Sequence, residues 1–152
     1  MPSQISRELL ELLDGKNLAS KRCEAMMLQT VTEDGWPHTA MISAGEILAL
    51  NETDVRLALW KGTTTTANIA RTGRAMLVTC WKGKAHYVRL SLSELPELKD
   101  AKHPRARFSG TVESAREDIA KYADIISGVQ IELKDEAAVL KRWEETLEEL
   151  RK

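Results

Sequence analysis

Thr63, Thr64, Thr65 and Thr66 stand between the run Leu57-Ala58-Leu59-Trp60-Lys61-Gly62 and the stretch Ala67-Asn68-Ile69. Four threonines in a row are poor helix interior, because branching at Cβ restricts χ1. They suit a corner where a strand breaks at Gly62 and a helix starts. The first amides of a helix have no partner inside it, the helix dipole adds partial positive charge there, and hydroxyls add donors. Such a corner can hold a phosphate. The same residues also suit plain capping, in which the hydroxyls satisfy only their own helix. At this level both uses stay open.

No other motif competes. GxGxxG, GxxxxGK[ST] and GxSxG are absent, so a dinucleotide fold, a P-loop and a nucleophile elbow have no support. His38, His86 and His103 show no metal-ligand spacing, and no metal site is expected. Carboxylates fall mainly on predicted helices and turns, where they read as solvated faces. No side chain is assigned as catalytic; any chemistry would come from a bound cofactor.

The composition agrees with one globular domain over residues 1–152. The chain is 43% hydrophobic, with a net charge of −1 spread over both signs. A nucleic-acid partner is not expected without a basic patch. No apolar run approaches the roughly 20 residues that span a bilayer. The start lacks the order of a signal peptide, so a cytoplasmic protein is expected. Cys23 and Cys80 form no CxxC and read as free thiols, Cys80 buried in a strand.

Periodicity supplies the elements that must carry the threonine corner. A helix is expected over 3–14, capped by Ser3 and stopped by Gly15, with Ile5, Leu9, Leu12 and Leu13 on one face. Residues 16–24 read as a polar connection. Strands follow at 25–32 and 36–43 around Glu33-Asp34-Gly35, then at 47–50 and 55–60. A short helix spans about 65–72 and stops at Gly73. Residues 74–81 are almost continuously apolar, which predicts a central strand covered on both faces. Residues 85–92 alternate, placing His86, Val88, Leu90 and Leu92 on one face and Tyr87 and Arg89 on the other. Residues 93–106 are polar. A strand is expected at 107–113. Ser114-Ala115-Arg116-Glu117 matches a capping box and predicts a helix to about residue 126. Val129, Ile131 and Leu133 predict a last strand. Asp135 would cap a helix over 136–151, with Leu140, Trp143, Leu147 and Leu150 as its apolar stripe. Short connections favour antiparallel pairing. The expected class is mainly β with α (α+β), an antiparallel barrel with peripheral helices.

Two motifs sharpen this reading. Thr30-Val31-Thr32-Glu33-Asp34-Gly35-Trp36-Pro37-His38 is similar to a T-x-x-x-D-G-x-P-H hairpin. Asn68-Ile69-Ala70-Arg71-Thr72-Gly73-Arg74-Ala75-Met76-Leu77 is similar to an N-[LI]-x-[RK]-x-x-[RK]-[AV]-x-[LV] helix-to-strand passage. With the intervening strand and threonine corner, residues 27–88 resemble the pyridoxamine 5′-phosphate oxidase-like, FMN-binding split-barrel superfamily. The resemblance implies a six-stranded Greek-key split barrel that forms a homodimer with FMN at the subunit interface. It implies that Thr63, Thr64 and Thr65 hold the phosphate, preceded by Trp60 and followed by Asn68. It implies that the flavin ring lies along Met41, Ile42 and Ser43, chiefly on backbone groups. Relatives carry basic residues where Thr64 and Thr65 stand; Lys61, Arg71 or Arg74 would supply that charge here. Relatives that oxidise vitamin B6 close with an Arg-containing strand, whereas this chain closes with a helix. The implied function is therefore a flavin-dependent oxidoreductase, using NAD(P)H and a small acceptor, that does not act on pyridoxamine phosphate. The alternative is a split-barrel dimer that binds flavin or another small ligand without turnover.

Overall fold

A computed structural model describes residues 2–152. In chain order the elements are α1 (Arg7–Leu13), β1 (Glu24–Val31), β2 (Pro37–Ser43), β3 (Ile47–Ala49), β4 (Asp54–Leu59), α2 (Thr64–Thr72), β5 (Arg74–Trp81), β6 (Lys84–Glu94), β7 (Ala106–Asp118), β8 (Val129–Gln130) and α3 (Glu136–Leu150). The strands pair antiparallel in the order β2-β1-β5-β6-β7-β4-β3, and β8 joins β1. The class is α+β, as expected. The strand count is seven on this path plus the two-residue β8, rather than six. β4 recruits Ile47–Ala49 as an edge, and β8 attaches beside Glu24 and Ala25.

Strand alternation divides the side chains between two faces. The inner face holds Leu28, Leu57, Leu77, Leu90 and Phe108, all buried, with Leu9, Leu12 and Leu13 of α1 and Ile69 of α2 packed on them. The outer face carries Met41 opposite Met27, Met27 opposite Val78, and Val78 opposite Tyr87. Over β3 and β4 that outer face is closed by α3: Leu48, Ala58, Trp143, Leu147 and Leu150 form a second buried cluster. Gly45 permits this approach, since a Cβ there would lie 2.1 Å from Cγ of Trp143. Over β1, β2, β5 and β6 no helix among the described residues covers the outer face. The two-sided cover expected for β5 is thus supplied on one side only within the chain.

Several expectations are corrected. α1 begins at Arg7, not residue 3, and its cap is Ser6, whose Oγ accepts the Leu9 N–H at 3.2 Å. The preceding residues are held extended: Ile5 N–H donates to Glu52 O and Ala115 N–H to Pro2 O. The 16–24 connection contains a 3-10 turn, Leu18–Lys21, whose buried Lys21 pairs with Asp14 at 2.8 Å. The helix expected from Ser114 does not form. β7 instead continues to Asp118, because β6 offers partners through Ala85↔Asp118, past a register shift at Arg89/Leu90. That ladder satisfies more backbone groups than one capping box. The last strand shrinks to Val129–Gln130. Asp135 occupies the start of α3 at φ 50° and makes no capping bond. Cys80 is half-buried rather than buried, and both thiols are free.

Candidate functional site

The corner after β4 caps its own helix and leaves part of its hydrogen-bonding capacity free. Gly62, at φ 73°, turns the chain away from the strand, a conformation that costs glycine least. Thr63 Oγ1 accepts the Thr66 N–H at 3.1 Å, and Thr66 Oγ1 accepts the Thr63 N–H at 3.2 Å. These two threonines are committed to a reciprocal cap. The amides of Thr64 and Thr65 have no acceptor among the described residues. Thr64 is exposed, whereas the Thr65 side chain is buried. The anion-binding capacity of the corner is therefore two free amides and one hydroxyl at the positive end of α2.

Asn68 braces this helix. Its Nδ2 donates to Thr30 Oγ1 at 3.0 Å, and its Oδ1 accepts from Arg71 at 3.1 Å. Arg71 also donates to Val31 O. Both side chains tie α2 to β1 and orient the corner. Trp60 is exposed, with the Arg105 guanidinium 3.9 Å from its ring centroid, a cation–π contact. Lys61 pairs with Glu97 at 2.6 Å, and this hydrogen bond and charge hold the Glu97 carboxyl below its usual range. Of the three basic residues that could serve a phosphate, Arg71 is engaged by Asn68 and Val31 and Lys61 by Glu97. Arg74 has no carboxylate within ion-pair distance among the described residues.

The β2 residues separate. Met41 is 53% exposed on the outer face, Ile42 is in the core, and Ser43 is buried. The Ser43 N–H and hydroxyl donate to Glu46 Oε1 at 3.2 and 3.0 Å. Burial raises the Glu46 carboxyl above its usual range, against these hydrogen bonds. β2 is a sheet edge, so backbone groups along its free side remain available to a ligand. Glu46 and Trp60 line one small recess, which brings the end of β2 near the end of β4.

A wide concavity lies elsewhere on the outer face. It is a groove of about 910 Å³ with Gln29, Val31, Met76, Arg74, Arg89 and Glu113 in its wall. Arg89 stands in this wall, whereas Tyr87 on the same strand face lies under Arg116, 4.3 Å from its ring centroid. The groove touches α2 at Thr72, about 12 Å along the helix from Thr64 by helical rise. The corner and the groove are therefore not one cavity. His86, on the inner face of β6, is 2% exposed with Nε2 unpartnered among the described residues and Nδ1 3.8 Å from Glu117. Among the described residues no cluster of three His, Cys, Asp or Glu could hold a metal, and no helix is long and apolar enough to cross a membrane.

Comparison with known proteins decides the family. A family profile described as pyridoxamine 5′-phosphate oxidase matches residues 13–144. The chain belongs to this family. It is 57% identical over 148 residues to YclD of Bacillus subtilis strain 168, itself described as uncharacterized; the match covers 97% of this chain and 96% of that one. Two crystal structures share the fold. A Lactobacillus delbrueckii protein assigned to pyridoxamine 5′-phosphate oxidase has a TM-score of 0.60 at 18% identity, covering 76% of this chain and 95% of its own. An FMN-binding protein of Syntrophomonas wolfei has a TM-score of 0.53 at 17% identity, covering 73% and 86%.

Membership in the pyridoxamine 5′-phosphate oxidase family puts a flavin phosphate to the test against this corner. The two unpartnered amides at Thr64 and Thr65 fit it, as does the free edge of β2 for a ring. What the corner lacks is an uncommitted cation. Sequence reading did not find Arg105, Glu46 or the groove, because each depends on residues brought together from distant strands.

Proposed function

We propose that this protein binds FMN and acts as a flavin-dependent oxidoreductase in a homodimer. The observation that carries the reading is the pair of free amides on Thr64 and Thr65, one short turn beyond Trp60 and near the open edge of β2. Thr64 and Thr65 would hold the phosphate, with Thr63 and Asn68 keeping the helix start in place. The backbone of Met41, Ile42 and Ser43 would orient the ring, with Trp60 beside it. FMN supplies hydride and electron transfer when bound. The chain's own residues bind, orient and exclude water; no acid or base is assigned among them.

A second copy would cover the outer face over β1, β2, β5 and β6, where Met41 and Val31 lie exposed. The groove then provides room for NAD(P)H or a small acceptor. Free thiols at Cys23 and Cys80 suit the reducing cytoplasm.

FMN titration with fluorescence quenching and absorbance near ~450 nm tests the binding. Saturable quenching is the expected result; a colourless protein that leaves FMN fluorescence unchanged overturns it. The engagement of Lys61 and Arg71 favours a second reading, a weak flavin binder without turnover. Bleaching of the bound flavin by NADH or NADPH separates the two.

A further inference from the structure

The segment between β7 and β8 is an arm that holds its largest apolar side chains in water. Tyr122 and Ile126 are each 94% exposed, and Ile119 is 65% exposed. Clustered apolar exposure of this kind marks a contact surface. The arm is anchored at its end: Val129 pairs with Ala25, and Gly128 lies against Cys80. Ala25 shares a strand face with Met27, Gln29 and Val31, and paired residues lie on the same face. Val129, itself 45% exposed, thus carries the apolar surface of the arm onto the bare outer face at the start of β1.

The outer-face groove lies at the other end of β1, beside Gln29 and Val31. The rise of the strand sets the two ends about 20 Å apart. Among the described residues neither Arg74 nor Arg89 has a carboxylate within ion-pair distance, and Asp124 of the arm has no cation. Glu113, the acid of the groove wall, accepts the Ser91 hydroxyl at 2.6 Å. Lys121 is the cation of the arm, and Asp118 at its root lies 3.9 Å from Arg116. The arm therefore offers an unpaired acid between two apolar side chains. The groove offers two unpaired arginines beside Val31 and Met76. The two surfaces match in charge and polarity, yet they stand at opposite ends of one chain.

We propose that the 119–128 arm of each copy seats in the groove of a second copy, with Tyr122 and Ile126 on Val31 and Met76 and Asp124 between Arg74 and Arg89. The inference rests on the homodimer reading above; it names the segments that join the copies and makes the groove a site walled by two chains. The arrangement is isologous, with a two-fold axis between the two bare faces and across the strands. That axis reverses strand direction, so each arm end meets a groove end. Met27 and Met41, paired midway along β1 and β2, then pack near the axis.

Sedimentation equilibrium of the full chain, with and without FMN, is the test. The wild type is expected at twice 17.0 kDa. Tyr122→Ser with Ile126→Ser should weaken the dimer about 10-fold or more, with the urea midpoint of the single chain unchanged. Arg74→Glu with Arg89→Glu should weaken it by repelling Asp124, and Asp124→Lys by meeting the two arginines. The deciding sample is an equal mixture of these two charge variants. Each arm then finds a groove of opposite charge, and the mixture should form the dimer that neither variant forms alone. A mixture without rescue, or a full-strength dimer in the Tyr122 and Ile126 variant, overturns the proposal. A dimer indifferent to the arm variants but split by Met41→Lys rejects the arm and keeps the homodimer. A wild type at 17.0 kDa in both conditions rejects both.

Discussion

Over β3 and β4 the outer face of the sheet is roofed by α3; over β1, β2, β5 and β6 it is bare. Both halves present apolar side chains. Leu48 and Ala58 meet Trp143, Leu147 and Leu150 and are buried. Met41 and Val31 lie under no helix among the described residues and are about half exposed. The roofed half is a finished core, and Arg56 of β4 and Arg107 of the neighbouring β7 reach backbone carbonyls at Leu150 and Pro96. The bare half carries Arg74 and Arg89 in a groove without carboxylate partners. One half is closed within the chain, whereas the other keeps apolar side chains exposed. Further apolar residues, Tyr122 and Ile126, each 94% exposed, lie on the segment between β7 and β8.

The contrast predicts how each half fails. Trp143→Ala should remove the roof's anchor and cost about 3–5 kcal/mol, read by chemical denaturation. A loss below 1 kcal/mol would mean that α3 is not a core element. Gly45→Ala should cost about 1–3 kcal/mol through overpacking at the same ring.

Met41→Lys, on the bare half, should leave monomer stability within about 0.5 kcal/mol and shift light scattering from twice 17.0 kDa to a single chain. A dimer that survives this change would place the interface elsewhere. Thr64→Glu should set a carboxylate against the flavin phosphate and weaken FMN about 10-fold or more, with the fold intact. Unchanged affinity would locate the phosphate away from α2, with Arg74 and Arg89 in the groove as the next cations to test.

The smallest effect sharpens the contrast from the inner face. Burial lowers the His86 pKa, with Glu117 opposing. The folded state therefore binds its proton less readily than the unfolded state. The resulting stability is present above the ordinary value of 6.5 and is lost as pH falls below it toward the folded pKa. His86→Leu should flatten the pH dependence of thermal unfolding in that window. An unchanged slope would assign it to other groups.

Much of the framework was legible locally. The hairpin at Gly35, the helix stop at Gly73 and the Trp143 stripe each follow from a few neighbouring residues. The misreadings arose where local and long-range bonding compete. Ser114-Ala115-Arg116-Glu117 carries a valid helix-start pattern, yet the unsatisfied backbone of β6 extends β7 through it. The apolar run of β5 signalled cover on both faces; a sequence cannot say whether the second cover comes from its own chain. The tie from Asn68 to Thr30, a partner 38 positions away, likewise cannot be read from its own stretch.

The sequence by itself determined the strand and helix periods, the threonine corner and the family, because these rest on side-chain spacing and backbone preferences within short stretches. Only the tertiary structure decided which threonine amides stay free, which arginines keep unpaired N–H groups, and which half of the sheet lacks a roof. Those outcomes depend on long-range hydrogen-bond partners and packing, which exist only once the strands have met.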